Sequence, residues 1–206
     1  MEFTVLGATG ATGVELTRQA LERGHTVTAV ARNPDRITVP ASDRLVRVAG
    51  DVRDPESIGR ALKGAKVILS GLGIAGKDAP GVLTAGARAA AGAEPDFIVW
   101  LAAFGTGESA PFAGVLTRTL LRTFMRNELD DRTTADAIVR RSGGTVFHAG
   151  PLSDGELSPA RRTVSLDDAP RRLFPARISR ATVAAAMLDE AERPEYGGRI
   201  ALPLAK

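Results

Sequence analysis

Phe3-Thr4-Val5-Leu6-Gly7-Ala8-Thr9-Gly10-Ala11-Thr12-Gly13 decides the fold. Four residues with strand character run straight into a turn with three glycines, and the turn runs into a segment with helical spacing, in which Val14, Leu16, Ala20 and Leu21 supply apolar surface. Glycines at this spacing permit a tight turn, let main-chain amides approach an anionic diphosphate, and allow the helix to pack closely on the sheet. The positive end of the helix dipole adds its own attraction for negative charge. Gly7, Thr9, Gly10, Ala11, Thr12 and Gly13 are therefore expected to hold the pyrophosphate of a dinucleotide; the bland alternative is an ordinary strand-to-helix turn.

Outward from this turn the same alternation repeats. Val27–Ala31 and Leu45–Val48 read as further strands, and Gly24 ends the first helix. Asp54-Pro55-Glu56 starts the next helix with a capping carboxylate, proline at the first helical position and an acid in the first turn. Val67–Leu69 and Phe97–Leu101 are apolar strands flanking an alanine-rich helix at about 80–92, and a helix over about 127–142 precedes a strand at Thr145–His148. Strands apolar on both faces, separated by helices, predict a single α/β domain over residues 1–206, with a doubly wound, mainly parallel Rossmann-type sheet covered by helices on both faces. Residues 150–178 carry Pro151, Pro159, Pro170 and Pro175 and read as a long loop with one short strand near Thr163–Leu166. Ser179 then caps a last helix before a strand at Gly198–Leu202. In such sheets ligands sit beyond the carboxyl ends of the strands, so the irregular stretches 104–126 and 150–178 are expected to wall a substrate.

Composition removes several function classes. The 206 residues are 44% hydrophobic and 25% charged, with a net charge of +3, as in a globular chain able to bury a core. The absence of cysteine excludes disulfides, thiolate nucleophiles and iron–sulfur clusters, and with only His25 and His148 no metal site is expected. Four lysines (Lys63, Lys66, Lys77 and Lys206) leave 23 arginines, scattered except at Arg122/Arg126, Arg161-Arg162 and Arg171-Arg172. None of these clusters is interleaved with stacking aromatics, so nucleic acid is not an expected partner. The longest apolar run, Phe97–Phe104, is too short to span a bilayer, and Glu2 stands where a secretory signal needs a base, so no membrane association and a cytoplasmic location are expected. Oligomeric state, monomer or dimer, is not legible.

The end of the second strand bears on which dinucleotide is bound. NAD sites usually place an acid there, whereas this chain has Ala31-Arg32-Asn33. Arg32 and Arg36 either clamp a 2′-phosphate, which predicts NADP(H) over NAD(H), or are solvated surface arginines. Asp51 and Val52 end the third strand, where they would meet an adenine ring or simply make a turn. Ser70-Gly71-Leu72-Gly73 would let the backbone approach the adenosine side.

These stretches, with Asp130-Asp131, Arg140-Arg141-Ser142-Gly143 and Ile178-Ser179-Arg180, resemble the atypical short-chain dehydrogenase/reductases. Within them the chain is similar to the NAD(P)H-binding, NmrA-like branch that includes biliverdin-IXβ reductase/flavin reductase and bacterial NADH-flavin reductase-like proteins. The resemblance implies pyrophosphate contacts from Thr9 to Thr12, a 2′-phosphate at Arg32 and Arg36 beside Asn33, adenine between Asp51 and Val52, and adenosine along Leu72 and Gly73. It also implies a nicotinamide facing Leu101, Ala102 and Ala103, with Gly150, Pro151 and Leu152 closing over its carboxamide.

One departure from that family points to the chemistry. Carbonyl reducers in it use a Tyr-x-x-x-Lys pair on the helix after the fifth strand, yet the only tyrosine here is Tyr196, and no lysine lies between Lys77 and Lys206. Without that proton donor a simple ketone is a poor substrate, while a flavin or quinone spreads the added charge over a planar conjugated ring. The expected function is NADP(H)-dependent transfer of a hydride to such an acceptor. Its rival is a non-catalytic NAD(P)(H)-binding redox sensor of NmrA type. Asp131 and His148 are the catalytic candidates. Asp131 shares a helix stripe with Ala135, Ile138 and Ser142 that is expected to face the sheet, or it is merely a first-turn acid; His148 either serves the site or bonds nearby backbone. Arg132, Asp136 and Arg140 read as a solvated face. Thr106, Glu108 and Ser109 are loop residues that either touch substrate or are simply solvated, and Trp100, Phe112, Phe124 and Phe174 either meet a planar ligand or pack in the core.

Overall fold

The computed structural model describes residues 1–74, 80–114, 128–169 and 176–205. Lys77, Arg122, Phe124, Arg126, Pro170, Arg171, Arg172, Phe174 and Pro175 lie outside them, and with them parts of both expected substrate walls.

Within the described residues the chain forms β1 (Glu2–Leu6), α1 (Ala11–Glu22), β2 (Thr26–Ala31), β3 (Leu45–Ala49), α2 (Pro55–Leu62), β4 (Val67–Ser70) and α3 (Val82–Gly92). There follow β5 (Phe97–Ala103), α4 (Leu129–Arg141), β6 (Thr145–Ala149), β7 (Leu152–Ser153), β8 (Arg162–Ser165), β9 (Ile178–Ser179), α5 (Arg180–Glu192) and β10 (Ile200–Leu204). Short 3-10 turns cover Pro34–Arg36 and Gly107–Phe112. The main sheet has the order β3-β2-β1-β4-β5-β6-β10-β8 and is parallel except at its β10–β8 edge. From β1 the chain winds first toward β3 and then back toward β6, so a switch point lies between β1 and β4.

Alternation along each strand explains the two cores. Phe3, Val5, Leu69, Val99 and Phe147 face α1 and α5, packing on Leu16, Val183, Ala184 and Met187. Leu6, Ile68, Ile98, Trp100 and Val146 face α2, α3 and α4, packing on Ile58, Leu83, Ala87, Ala135 and Val139. Trp100 is thus a core residue, 1% exposed, and Phe112 packs at the edge of the same cluster.

Local signals act as expected at two helix starts. Asp54 accepts the Glu56 and Ser57 amides at 3.0 and 3.1 Å, and Ser179 accepts the Thr182 amide at 3.1 Å. The expected long loop after Pro151 is more ordered than its composition suggests. β8 pairs antiparallel with β10, and β7 pairs with β9 in a separate two-stranded sheet, so residues distant in sequence supply the backbone partners that no local pattern announces.

Candidate functional site

A cleft of about 520 Å³ runs along the carboxyl ends of the parallel strands, across the switch point. Its floor is the turn after β1, contributing Gly7, Thr9, Gly10, Ala11 and Thr12. One end lies over β2 and β3, with Arg32, Asp51, Val52 and Arg53; the middle is Leu72 and Gly73 after β4; the other end lies over β5 and β6, with Leu101, Ala102, Ala103, Gly150 and Leu152.

Backbone geometry at Gly7 and Gly13 leaves no room for a side chain. Gly7 has φ +73°, and a Cβ on Gly13 would lie 2.1 Å from the Gly7 carbonyl oxygen, so Gly13 serves the packing of α1 on β1 rather than lining the cleft. The Gly10 N-cap of α1 makes no side-chain cap, and its first turn holds no acid. α2 and α5 are capped by their own residues, and α3 is capped from α4. The start of α1 therefore faces the cleft with main-chain N–H groups and without a built-in counter-charge, the arrangement an anion requires.

Among the residues expected to bind a nucleotide, Asn33, Arg36 and Pro151 do not line this cleft. The Asn33 side chain instead accepts the Asp35 amide at 3.1 Å and turns the chain, leaving Arg36 exposed on the 3-10 turn beyond it. Arg53 lines the cleft beside Arg32, as do Arg132 and Arg180 at the far end. None of these three was singled out for a ligand from sequence, although Arg53 follows Asp51 by two residues at a strand end, which was a usable signal.

The two catalytic candidates take structural places. Asp131 accepts the Leu83 and Thr84 amides at 3.1 and 2.8 Å and so caps α3 from a neighbouring helix, while Thr84 Oγ1 donates to its carbonyl at 3.2 Å. Burial pushes its carboxyl pKa up, but hydrogen bonds from Thr84, Leu83 and Gly81 outweigh this and hold it below the usual value. A lowered carboxylate pKa stabilises the fold above the unfolded value, about pH 4, and that support fades as acid titrates the group. Asp131→Ala is expected to cost about 1–2 kcal/mol at neutral pH, lowering the melting temperature by about 2–8 °C, with the gap from wild type narrowing below about pH 4 in pH-resolved melting curves. The expected stripe is correct at Asp131 and Ala135 and wrong at Ser142, which is exposed; Val139 completes the buried face.

His148 is 1% exposed, with Nδ1 2.6 Å from Ser109 Oγ and Nε2 3.1 Å from Asp136 Oδ2. Its partners are side chains and not the nearby backbone. Asp136, expected on a solvated face, is 6% exposed, and Ser109, expected in a solvated or substrate-touching loop, is fully buried. Ser109 Oγ also accepts the Gly105 amide at 2.8 Å and donates to the Thr106 carbonyl at 2.9 Å. The serine, histidine and aspartate resemble a hydrolytic triad only in composition. No member lines the cleft, and the serine is spent on holding the turn after β5. Thr106 and Glu108 are likewise absent from the lining; Glu108 pairs with Arg140. Tyr196 donates to the Thr163 carbonyl at 3.0 Å, bracing the β8 edge.

A family model described as NAD(P)H-binding matches residues 7–194. The chain belongs to this NAD(P)H-binding family. Solved structures similar to it include the anaerobillin reductase of Escherichia coli O157:H7 (20% identity, 100% of this chain and 97% of that one, TM-score 0.80). A Streptococcus pneumoniae protein named as an NADH-flavin reductase is similar at 19% identity over 100% of both chains, TM-score 0.74. A short-chain dehydrogenase/reductase of Veillonella parvula, solved with NADP, shares 16% identity over 98% of this chain and 93% of that one, TM-score 0.79. These likenesses establish the Rossmann-like α/β fold. Among the described residues no helix is long and apolar enough to cross a membrane, and no group of acids and histidines is placed to hold a metal ion.

Proposed function

We propose that this member of the NAD(P)H-binding family is a reductase that prefers NADP(H) to NAD(H) and acts on a planar conjugated acceptor, a flavin or a quinone. The observation that carries the reading is the uncapped, acid-free start of α1 on the cleft floor, with Arg32 and Arg53 at one end of the same cleft. Gly7, Thr9, Gly10, Ala11 and Thr12 would hold the pyrophosphate, Arg32 and Arg53 the 2′-phosphate, and Asp51 with Val52 the adenine. Leu72 and Gly73 would follow the adenosine, and Leu101, Ala102, Ala103, Gly150 and Leu152 would enclose the nicotinamide.

When bound, the nicotinamide supplies the reducing electrons; the chain's own part is positioning and exclusion of water. Among the described residues lining the β5/β6 end there is no carboxyl, histidine, tyrosine or lysine to pass a proton. Solvent protonation of a charge-delocalised product needs no acid in that wall, whereas reduction of a simple carbonyl would gain nothing there from a proton donor.

Arg32→Ala is expected to weaken NADPH binding by about 1.5–3 kcal/mol while leaving NADH nearly unchanged, in calorimetric titrations of both. Equal losses would remove the 2′-phosphate assignment. The same bare wall also suits a redox sensor, so NADPH oxidation with FMN, FAD, menadione and dichlorophenolindophenol decides between them: tight nucleotide binding without turnover on any acceptor would favour the sensor.

A further inference from the structure

The β5/β6 end of the cleft is framed by two arginines from helices on opposite faces of the sheet, Arg132 in the first turn of α4 and Arg180 at the first position of α5. Both placements are built. The bonds that the α3 amides donate to Asp131 fix the first turn of α4, and the pairing of β9 with β7, Ile178 opposite Leu152 and Ser179 opposite Ser153, brings the next residue, Arg180, to the same rim of the cleft as Leu152.

Each guanidinium is only partly engaged. Arg132 donates to Glu128 at 3.0 Å, and Arg180 pairs with Asp154. An arginine has five N–H donors, and these contacts leave most of them available to a ligand. The Arg132 side chain is 15% exposed, and its Nε is buried with no hydrogen-bond partner in the protein. A buried unmatched donor of this kind is a cost to the fold that a ligand acceptor would relieve. Neither Glu128 nor Asp154 lines the cleft, and among the described lining residues Asp51, at the opposite end, is the sole carboxylate. The acceptor end therefore presents two cations and no anion.

We propose that this end selects an acceptor bearing an anionic group, held by forked hydrogen bonds from Arg132 and Arg180. The proposal rests on the reductase reading and adds the charge of the substrate to it. A phosphate, a sulfonate or a carboxylate has the oxygens that a guanidinium fork matches, whereas a neutral ring of the same shape leaves both arginines unanswered.

The test uses protein saturated with NADP⁺, so that nucleotide and acceptor do not compete for one end. Quenching of flavin fluorescence compares FMN with riboflavin, which share the ring and differ in the phosphate. FMN is expected to bind about ten-fold more tightly at low salt, with the difference falling to about two-fold or less in Arg132→Gln and, independently, in the more exposed Arg180→Gln. A second arm compares a sulfonated naphthoquinone with the unsubstituted naphthoquinone in steady-state turnover, reading the concentration of each that half-saturates the enzyme. Preference in the flavin arm alone assigns the site to a phosphate, and preference in both assigns it to anionic groups in general. Equal binding of FMN and riboflavin by wild-type protein, with NADP⁺ taken up normally, overturns the proposal and spares the reductase reading. A loss of NADP⁺ affinity in Arg132→Gln matching the loss for FMN also overturns it, by assigning the guanidinium to the nucleotide. Failure to take up NADP⁺ at all instead removes the reading beneath it.

Discussion

Gly13→Ala is expected to lower NADPH affinity by about 100-fold and to cost about 3 kcal/mol of stability. The added methyl would meet the Gly7 carbonyl oxygen at 2.1 Å, the Gly7 carbonyl carbon at 2.7 Å and the Ala8 Cα at 2.9 Å. All three are backbone atoms, so no rotamer change relieves the clash and the first turn of α1 must move away from β1. The amides that face the cleft move with it, which couples the stability loss to the binding loss. Gly10→Ala provides the internal comparison, since its Cβ would meet the Gly7 carbonyl oxygen at 3.3 Å, a contact that a few tenths of an ångström relieve. Its melting temperature is expected to shift by less than about 4 °C, against about 6–12 °C for Gly13→Ala. Calorimetric titration with NADPH and thermal melts of both variants check this. A Gly13→Ala protein with wild-type melting and wild-type affinity would separate the helix start from the nucleotide site.

The fold was legible because its signals are local. A strand, a glycine turn and an amphipathic helix each announce themselves within a dozen residues, whereas the strand order and its switch point come from pairings between distant segments. The floor of the cleft and its strand-end residues were legible for the same reason, since they inherit their place from the sheet, whereas of the described residues in the expected walls only Gly150 and Leu152 line it. What stayed hidden depends on rotation and on distant partners. On α4, Arg132, Asp136 and Arg140 follow an i,i+4 spacing that reads as an exposed ladder, but the helix is turned so that Asp136 is buried and Arg132 reaches the cleft. The helix has few apolar residues to announce its inner face, and its buried acids are matched by partners that sequence cannot supply: Leu83 and Thr84 for Asp131, His148 for Asp136. Arg36 failed as a cleft residue for a related reason, because the Asn33-capped turn carries it away from the strand end.

That hidden network gives the second large effect. His148→Leu is expected to cost about 3 kcal/mol and to lower the melting temperature by about 6–12 °C, with NADPH affinity within about two-fold of wild type. The ring satisfies Ser109 and Asp136 together, so its loss leaves Asp136 Oδ2 without a donor, in a side chain whose Oδ1 already lacks one. Burying an unmatched carboxylate is far costlier than losing one exposed hydrogen bond, and Asp136, 6% exposed, has almost no solvent to turn to. His148→Gln keeps a polar side chain in the same space and is expected to recover part of the stability and to retain the proposed reductase turnover. A sharp fall in turnover in the Gln variant at unchanged melting temperature would instead place the imidazole in the reaction. It would also require a path from the buried ring to the acceptor, and both Ala102, directly opposite His148 in the strand pairing, and the adjacent Ala149 line the cleft.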